Sequence, residues 1–129
     1  MNTSQPDAKF AGCIKACLDC QAACQECQTA CIDNPQVKEM LRCILLSRDC
    51  GLFCHTTALL LQHGSEFLEQ VCLLCLEVCK GCAEESARFT LPQCRRVTES
   101  SRRCVRELGA VLPELGHQPA HNLPPHNLN

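Results

Sequence analysis

The chain has 129 residues, a formal net charge of −2 and fifteen cysteines. Its length fits one domain, and the small charge gives no support to a nucleic-acid or anionic-membrane partner. Tryptophan and tyrosine are absent, so no aromatic platform exists on which nucleic-acid bases would stack. The apolar runs are also far shorter than the ~20 residues that a membrane span needs.

The cysteine content exceeds the ~8–10% at which it becomes diagnostic of a class of protein. The usual explanation is a small secreted scaffold held together by disulfides. Here the count is odd, and the N-terminal sequence MNTSQPDAKF lacks the basic and apolar segments of an export signal. We therefore expect a cytoplasmic protein whose thiols stay reduced and serve metal or redox chemistry.

The predicted fold is all-α, an antiparallel up-down-up-down four-helix bundle over residues 7–112. Residues 1–6 are expected to be a disordered lead. Residues 113–129, which contain four prolines and three histidines, are expected to form a disordered tail. Helices are predicted at about 7–32, 35–63, 65–88 and 91–112. Connections this short between long helices indicate antiparallel neighbours.

Residues with strong helix-boundary preferences set these limits. Asn34 and Pro35 are expected to cap and begin the second helix. Gly64 provides a C-terminal stop, and Ser65 is expected to cap the third helix. The fourth helix is expected to end near 112 because Pro113 follows.

All fifteen cysteines fall on stripes with helical spacing. In the first helix the gaps between successive cysteines are 4, 3, 4, 3 and 4, a heptad pattern that faces a partner helix. The predicted core-facing cysteines, helix by helix, are Cys13, Cys17, Cys20, Cys24, Cys27 and Cys31; Cys43, Cys50 and Cys54; Cys72, Cys75, Cys79 and Cys82; and Cys94 and Cys104.

A purely structural role for these cysteines is a weak explanation. Leucine at six successive core positions would bury more apolar area, worth about 25 cal/mol per Å². Cβ atoms four residues apart on a helix are about 5–6 Å apart, whereas a disulfide needs about 3.8 Å. Bridges within a helix would therefore be strained, although bridges between helices remain open. Two metal–sulfur bonds of about 2.3 Å nearly span the same gap, so the pattern predicts metal held between thiolates.

Copper(I) fits this arrangement better than the other thiophilic metals. Zinc prefers a closed set of four ligands, usually supplied by short cysteine pairs on turns, and iron–sulfur motifs lie on loops. Copper(I) is a soft ion that thiolates favour, and a ladder of thiolates can share it in sites of low coordination number. One copper(I) replacing one thiol proton also leaves the core neutral, which avoids the cost of buried charge.

The repeated CxxxC on helices resembles the signature of the bacterial copper-storage proteins, a family of cysteine-rich four-helix bundles. This resemblance covers about residues 8–112 and rests on five pairs: Cys13/Cys17, Cys20/Cys24, Cys27/Cys31, Cys50/Cys54 and Cys75/Cys79. It implies a lumen lined by the fifteen cysteines that takes up many copper(I) ions through one open end. It also implies a cytosolic homotetramer. We expect a copper donor or chelator to deliver the ions.

Other residues on or near the stripes are secondary candidates. Met40 shares a stripe with Cys43 and is a possible soft ligand, whereas Ser47, Val97 and Ser101 stand where more thiols would be expected. Antiparallel packing brings His55 and His63 near the Cys13 end, the candidate mouth. The tail histidines, for which we favour no specific role, are His117, His121 and His126.

No enzyme signature is present, because the sequence has no phosphate-binding glycine loop, serine nucleophile elbow or HExxH. We therefore expect a copper(I) store without catalytic activity. The alternatives that stay open are a thiol redox reservoir or sensor, a zinc-binding protein and an iron–sulfur protein.

Overall fold

The computed structural model describes residues 8–115, which form four α-helices joined by short connections. The helices are α1 (Ala8–Ile32), α2 (Leu41–His63), α3 (Leu68–Ser86) and α4 (Pro92–Leu115), and one 3₁₀ turn (Val37–Met40) leads into α2. Each helix packs against the two that neighbour it in a closed ring, α1–α2–α3–α4–α1. The predicted all-α, antiparallel four-helix bundle is therefore confirmed.

Two helices begin later than the sequence predicted. The Asn34 side chain accepts a hydrogen bond from the Gln36 N–H at 2.8 Å, which forms a turn before the 3₁₀ segment instead of a helix cap. Ser65 does the same for the Phe67 N–H at 3.0 Å. Because these polar side chains hold local turns, α2 begins at Leu41 rather than 35, and α3 begins at Leu68 rather than 65.

The other end of α3 and the end of α4 also differ from prediction. The third helix stops at Ser86, two residues before the expected end at 88. The fourth helix continues through Pro113 to Leu115 instead of ending near 112. Proline in the last turn removes one backbone hydrogen bond, and the complete burial of Leu115 in the core offsets that loss. The predicted lead 1–6 and the tail from 116 onward lie outside the described residues.

Gly64 ends α2 as the sequence predicted. Its backbone is left-handed, with φ 70° and ψ 43°, a conformation that glycine adopts without the steric cost of a Cβ. The N–H groups of Gly64 and Ser65 both donate to the Leu60 carbonyl, at 3.0 and 3.1 Å. These bonds satisfy the end of the helix and turn the chain toward α3.

Small residues bring α4 close to α1. A Cβ on Gly12 would lie 2.7 Å from Glu107 Oε1, and the Cys104 Sγ donates a hydrogen bond to the Ala16 carbonyl at 3.1 Å. Ala16 and Ala23 are buried on this side of α1. This close approach holds the cysteine stripe of α1 against the other helices.

One end of the bundle is closed by apolar side chains, here named the leucine plug. Antiparallel packing brings together the start of α1, the end of α2, the start of α3 and the end of α4. The plug consists of Phe10, Leu61, Leu68, Leu108 and Leu115, each at most 5% exposed. The Cys13 end of the core is therefore sealed from solvent.

By length and composition alone, the stretch Val37–His63 could cross a membrane, and it is the one such stretch found among residues 8–115. Core helices of soluble proteins share this length and composition. In the bundle the cysteines of α2 face the core.

Candidate metal centre

Every predicted ligand lies in the core. All fifteen cysteines are free thiols, and each is at most 1% exposed. The stripes read from helical spacing thus correspond to one continuous interior, to which all four helices contribute.

Three of the thiol clusters share members and form what we name the inner network. Cys20, Cys50, Cys54 and Cys79 place their sulfurs within 4.8 Å of one another. Cys54 also belongs to a cluster with Cys17 and Cys75, and Cys50 belongs to one with Cys24 and Cys82. The contacts include Cys20–Cys50 at 3.8 Å, Cys50–Cys79 at 3.7 Å and Cys54–Cys79 at 3.7 Å between Sγ atoms.

Three further cysteines extend the inner network toward the leucine plug. Side-chain hydrogen bonds with Cys17 raise the pKa values of the Cys13 and Cys104 thiols above their usual range. Burial, followed by the charges of Cys75 and Cys17, raises the pKa of Cys72 to about 12. Cys13, Cys72 and Cys104 therefore interact with the same group of thiols.

The remaining four cysteines form a separate cluster, here named the outer tetrad. Cys27, Cys31, Cys43 and Cys94 come from α1, α2 and α4, and their sulfurs also lie within 4.8 Å of one another. Within it, Cys27 Sγ is 3.7 Å from the sulfurs of both Cys31 and Cys94, and Cys31 Sγ is 3.8 Å from that of Cys94. A hydrogen bond from Cys43 lowers the pKa of the Cys27 thiol to about 6, which favours a thiolate at neutral pH.

These sulfur spacings suit soft metal ions. Two metal–sulfur bonds of about 2.3 Å bridge a gap of this size, and thiolates select copper(I), zinc and iron–sulfur clusters among the transition metals. Because the clusters of the inner network share sulfurs, several ions can occupy neighbouring positions.

Hydroxyl groups occupy core positions between the thiols. Ser101 Oγ lies 3.5 Å from Cys20 Sγ and 4.0 Å from Cys50 Sγ, and Ser47 Oγ donates toward Cys27 Sγ at 3.8 Å. Thr57 Oγ1 is buried and has no hydrogen-bond partner within residues 8–115. Ser47 and Ser101, with Val97, were predicted from the sequence to occupy core positions between the thiols.

Ser86 is a further core hydroxyl that was not predicted from the sequence. This serine is completely buried and forms a hydrogen bond of 2.7 Å with Thr98 Oγ1. It continues the α3 stripe four residues after Cys82, a spacing that could have found it.

The end of the bundle opposite the plug carries a surface pocket of about 520 Å³, and the thiols of the outer tetrad at this end are at most 1% exposed. The pocket lining includes Asn34, Gln36, Glu39, Met40 and Arg88, together with residues 89–92. Met40 is itself only 3% exposed and belongs to the core. It stands three residues before Cys43, and residues at this spacing share one helix face.

The leucine plug fills the Cys13 end, at which the sequence placed the candidate mouth. His55 and His63 are both exposed, and His55 Nδ1 lies 3.3 Å from Gln21 Oε1 on the surface. His117, His121 and His126 lie outside the described residues.

Known proteins with similar sequences and structures share this architecture. The chain is 30% identical over 95 residues to YhjQ of Bacillus subtilis, an uncharacterised cysteine-rich protein, covering 74% of this chain and 88% of the relative. The copper storage protein Ccsp of Streptomyces lividans, loaded with 10 copper equivalents, superposes with a TM-score of 0.79 at 32% identity, covering 81% of this chain and 84% of that chain.

A third similar structure is the Cu(I)-bound copper storage protein BsCsp3, with a TM-score of 0.76 at 27% identity. The alignment covers 79% of this chain and 96% of that chain. The sequence profile of the copper storage proteins matches residues 6–113, a span that includes all fifteen cysteines. The chain therefore belongs to the copper storage protein family.

Proposed function

We propose that this protein stores copper(I) in its core and that its fifteen cysteine thiolates are the ligands. One observation carries the proposal: every cysteine of the chain is a free, buried thiol on the interior of the bundle. A core that served stability alone would hold larger apolar side chains, as the leucine plug does at one end.

The electrostatics of the core suit a monovalent ion. Burial penalises charge, and most of the core thiols have pKa values raised above their usual range. Burial raises the pKa of Cys31, and the hydrogen bond with Cys20 raises the pKa of Cys24. Each copper(I) that displaces a proton leaves the net charge of the core unchanged. The same number of divalent ions would accumulate buried positive charge, which is costly.

Copper enters, on this proposal, at the end that carries Met40. The opposite end is filled by the leucine plug, whereas Met40 lines a surface pocket and shares a face with Cys43. A thioether is a soft ligand for copper(I). The donor would be a protein or small chelator that presents copper(I) at this pocket.

The role is binding and buffering, without catalysis, and we place it in the cytoplasm. A structure similar to this chain belongs to a cytosolic copper storage protein of Streptomyces lividans, which supports that location. Exposed leucines across α2 and α3 support self-association, for which we propose a homotetramer.

The decisive experiment titrates fully reduced, metal-free protein anaerobically with copper(I) in competition with a chromogenic chelator. We expect about ten or more ions per chain to be withheld from the chelator, since thiolates are strong ligands for this soft ion. The matched variant replaces the four cysteines of α3 (Cys72, Cys75, Cys79 and Cys82) with serine, and it should lose capacity while far-UV circular dichroism reports the retained helices.

Other results would point to the competing functions. Saturation at one to four ions, or failure to compete with the chelator, would contradict storage. Tighter retention of zinc than copper(I) would favour a zinc buffer, and iron with visible colour after anaerobic purification would favour an iron–sulfur protein. Reversible disulfide formation at a few low-pKa cysteines, without metal, would favour a thiol redox role.

A further inference from the structure

The thiols of the core fall into two groups that do not share members. Within residues 8–115, the three clusters of the inner network are linked through Cys50 and Cys54, whereas no sulfur of the outer tetrad belongs to any of them. The sulfur–sulfur hydrogen bonds of Cys27, Cys31 and Cys94 all stay within the outer tetrad. The core is therefore one continuous interior with two separate sets of ligands.

Between these two groups lies a layer of the core in which three of the four helices place a residue other than cysteine. We name this layer the divider. On α2, Ser47 stands between Cys43 and Cys50. On α3, Ser86 follows Cys82 as the last residue of the helix. On α4, Val97 stands between Cys94 and Ser101. The three divider residues, Ser47, Ser86 and Val97, are all completely buried.

The divider offers few ligands to a copper(I) ion that moves between the two groups of thiols. A buried copper(I) ion moves by exchanging one sulfur ligand for another, because release as a bare ion into the core would carry the cost of an unpaired buried charge. Hydroxyl oxygen is a hard ligand that suits copper(I) poorly, and valine offers no ligand. Only on α1 do two thiols, Cys24 and Cys27, follow each other across the divider with no other residue type between them on the cysteine stripe.

We propose that the core holds two copper(I) pools, an exchangeable outer pool on the outer tetrad and a slowly exchanging inner pool behind the divider. This proposal rests on the proposed storage function. The outer pool lies at the end with the Met40 pocket and gains or loses copper first. Ions of the inner pool must pass Cys24 and Cys27 to leave, so the divider sets the rate at which the main store responds.

Release kinetics from loaded protein test this proposal. Protein saturated anaerobically with copper(I) is mixed with excess chromogenic copper(I) chelator, and formation of the chelator complex is followed with time. We expect a fast phase with about a quarter of the total amplitude, because the outer tetrad holds four of the fifteen thiols. A slow phase should carry the rest.

Two variants distinguish a divider from general heterogeneity among the sites. The double substitution Ser47→Cys and Val97→Cys places thiols in the divider, so the slow phase should merge with the fast one. Ser101→Cys is the matched control, because Ser101 is equally buried and lies beside Cys20 and Cys50 within the inner network. This control adds one thiol and should leave two phases.

Single-phase release from the unmodified protein would overturn the proposal, as would two phases that persist unchanged in the divider double variant. If the double variant fails to fold, as judged by circular dichroism, Ser47→Cys alone is used, and its slow phase should accelerate. The total amount of copper released distinguishes failure of the storage function from failure of the two-pool proposal. A low total would contradict storage itself. A high total released in a single phase would contradict only the two pools.

Discussion

At the scale of single residues, burial governs the acid–base chemistry of the thiols. Desolvation disfavours the thiolate, so the pKa of Cys72 rises to about 12, whereas the hydrogen bond from Cys43 lowers the pKa of Cys27 to about 6. Copper(I) binds the thiolate form, so loading at neutral pH must displace protons from most sites. Cys27 differs from the other thiols of the outer tetrad, because their pKa values are raised and its own is lowered.

The raised pKa of Cys72 makes the metal-free bundle sensitive to alkali. In the unfolded chain this thiol titrates near 9.0, and in the folded chain it titrates near about 12. Its contribution to stability is therefore complete below pH 9.0 and is lost as the pH rises toward about 12. Denaturant unfolding of reduced apoprotein should show this loss, on the order of a few kcal/mol.

The control for this prediction is Cys72→Val, which keeps an apolar side chain of similar volume without a titratable group. Its free energy of unfolding should fall less steeply over the same pH range. Equal slopes for the two proteins would show that Cys72 titrates no differently in the folded and unfolded states.

The leucine plug is expected to contribute stability without contributing to copper capacity. Leu108 is completely buried, so Leu108→Ala should destabilise the apoprotein by about 2–5 kcal/mol through lost burial and a cavity. Leu112→Ala is the comparison, because Leu112 is only partly buried, and it should cost less. Copper(I) titration of both variants should give the unmodified stoichiometry; a reduced capacity for Leu108→Ala would show that the plug also shapes the metal sites.

At the scale of the helices, the four elements contribute unequal numbers of thiols to the core. The first helix supplies six thiols and contacts both the inner network and the outer tetrad, whereas α4 supplies only Cys94 and Cys104. The outer face of α4 is polar, and its Arg96 and Arg103 pair with Glu26 and Asp19 of α1 at 3.4 Å. Exposed pairs of this kind contribute little stability, so the close approach of small residues on α1 holds these helices together.

The connection between α2 and α3 depends on the left-handed backbone of Gly64. Gly64→Ala should cost about 1 kcal/mol, because a Cβ is strained at this φ even though no atom lies within 4 Å of it. Gly81 is the matched control: it lies inside α3, and a Cβ there also meets nothing within 4 Å. Gly81→Ala should stabilise the helix by about 0.5–1 kcal/mol, so denaturant unfolding should give changes of opposite sign. Changes of the same sign would contradict the assigned role of Gly64.

At the scale of the whole molecule, the bundle exposes more apolar surface than its core requires. Leu45, Leu52 and Leu59 recur every seven residues along the outside of α2, and Leu74 of α3 lines an apolar pocket together with Leu52. Exposed apolar patches of this kind mark interaction surfaces. These exposed leucines also explain why the stretch Val37–His63 is apolar enough to cross a membrane.

This surface carries the prediction of self-association. Leu52 is 62% exposed in the single chain, so Leu52→Glu would place a charge in the proposed interface and should convert tetramers to smaller species, as measured by light scattering after gel filtration. Leu18→Glu is the control, because Leu18 is an exposed leucine that belongs to α1 and not to α2 or α3. An unchanged mass for Leu52→Glu, or an equal loss for Leu18→Glu, would contradict an interface at this surface.

The amino-acid sequence alone determined the class of fold, the direction of every cysteine and the family. Helical periodicity is a local property, so the gaps of 3 and 4 between cysteines placed all fifteen on the core side before any packing was known. The resemblance to copper-storage proteins, drawn from the CxxxC pairs, is confirmed by family membership. The cysteines as ligands stay a prediction until copper is counted.

Tertiary structure decided what local pattern cannot express, namely which end is closed and how the thiols are grouped. Leucines at positions 61, 68, 108 and 115 are far apart in sequence, and only antiparallel packing gathers them into one plug at the end where the mouth was expected. The divider likewise depends on the register between helices, which brings single residues of α2, α3 and α4 to one level. Register is set by side-chain packing between helices, and the periodicity of each helix on its own does not contain it.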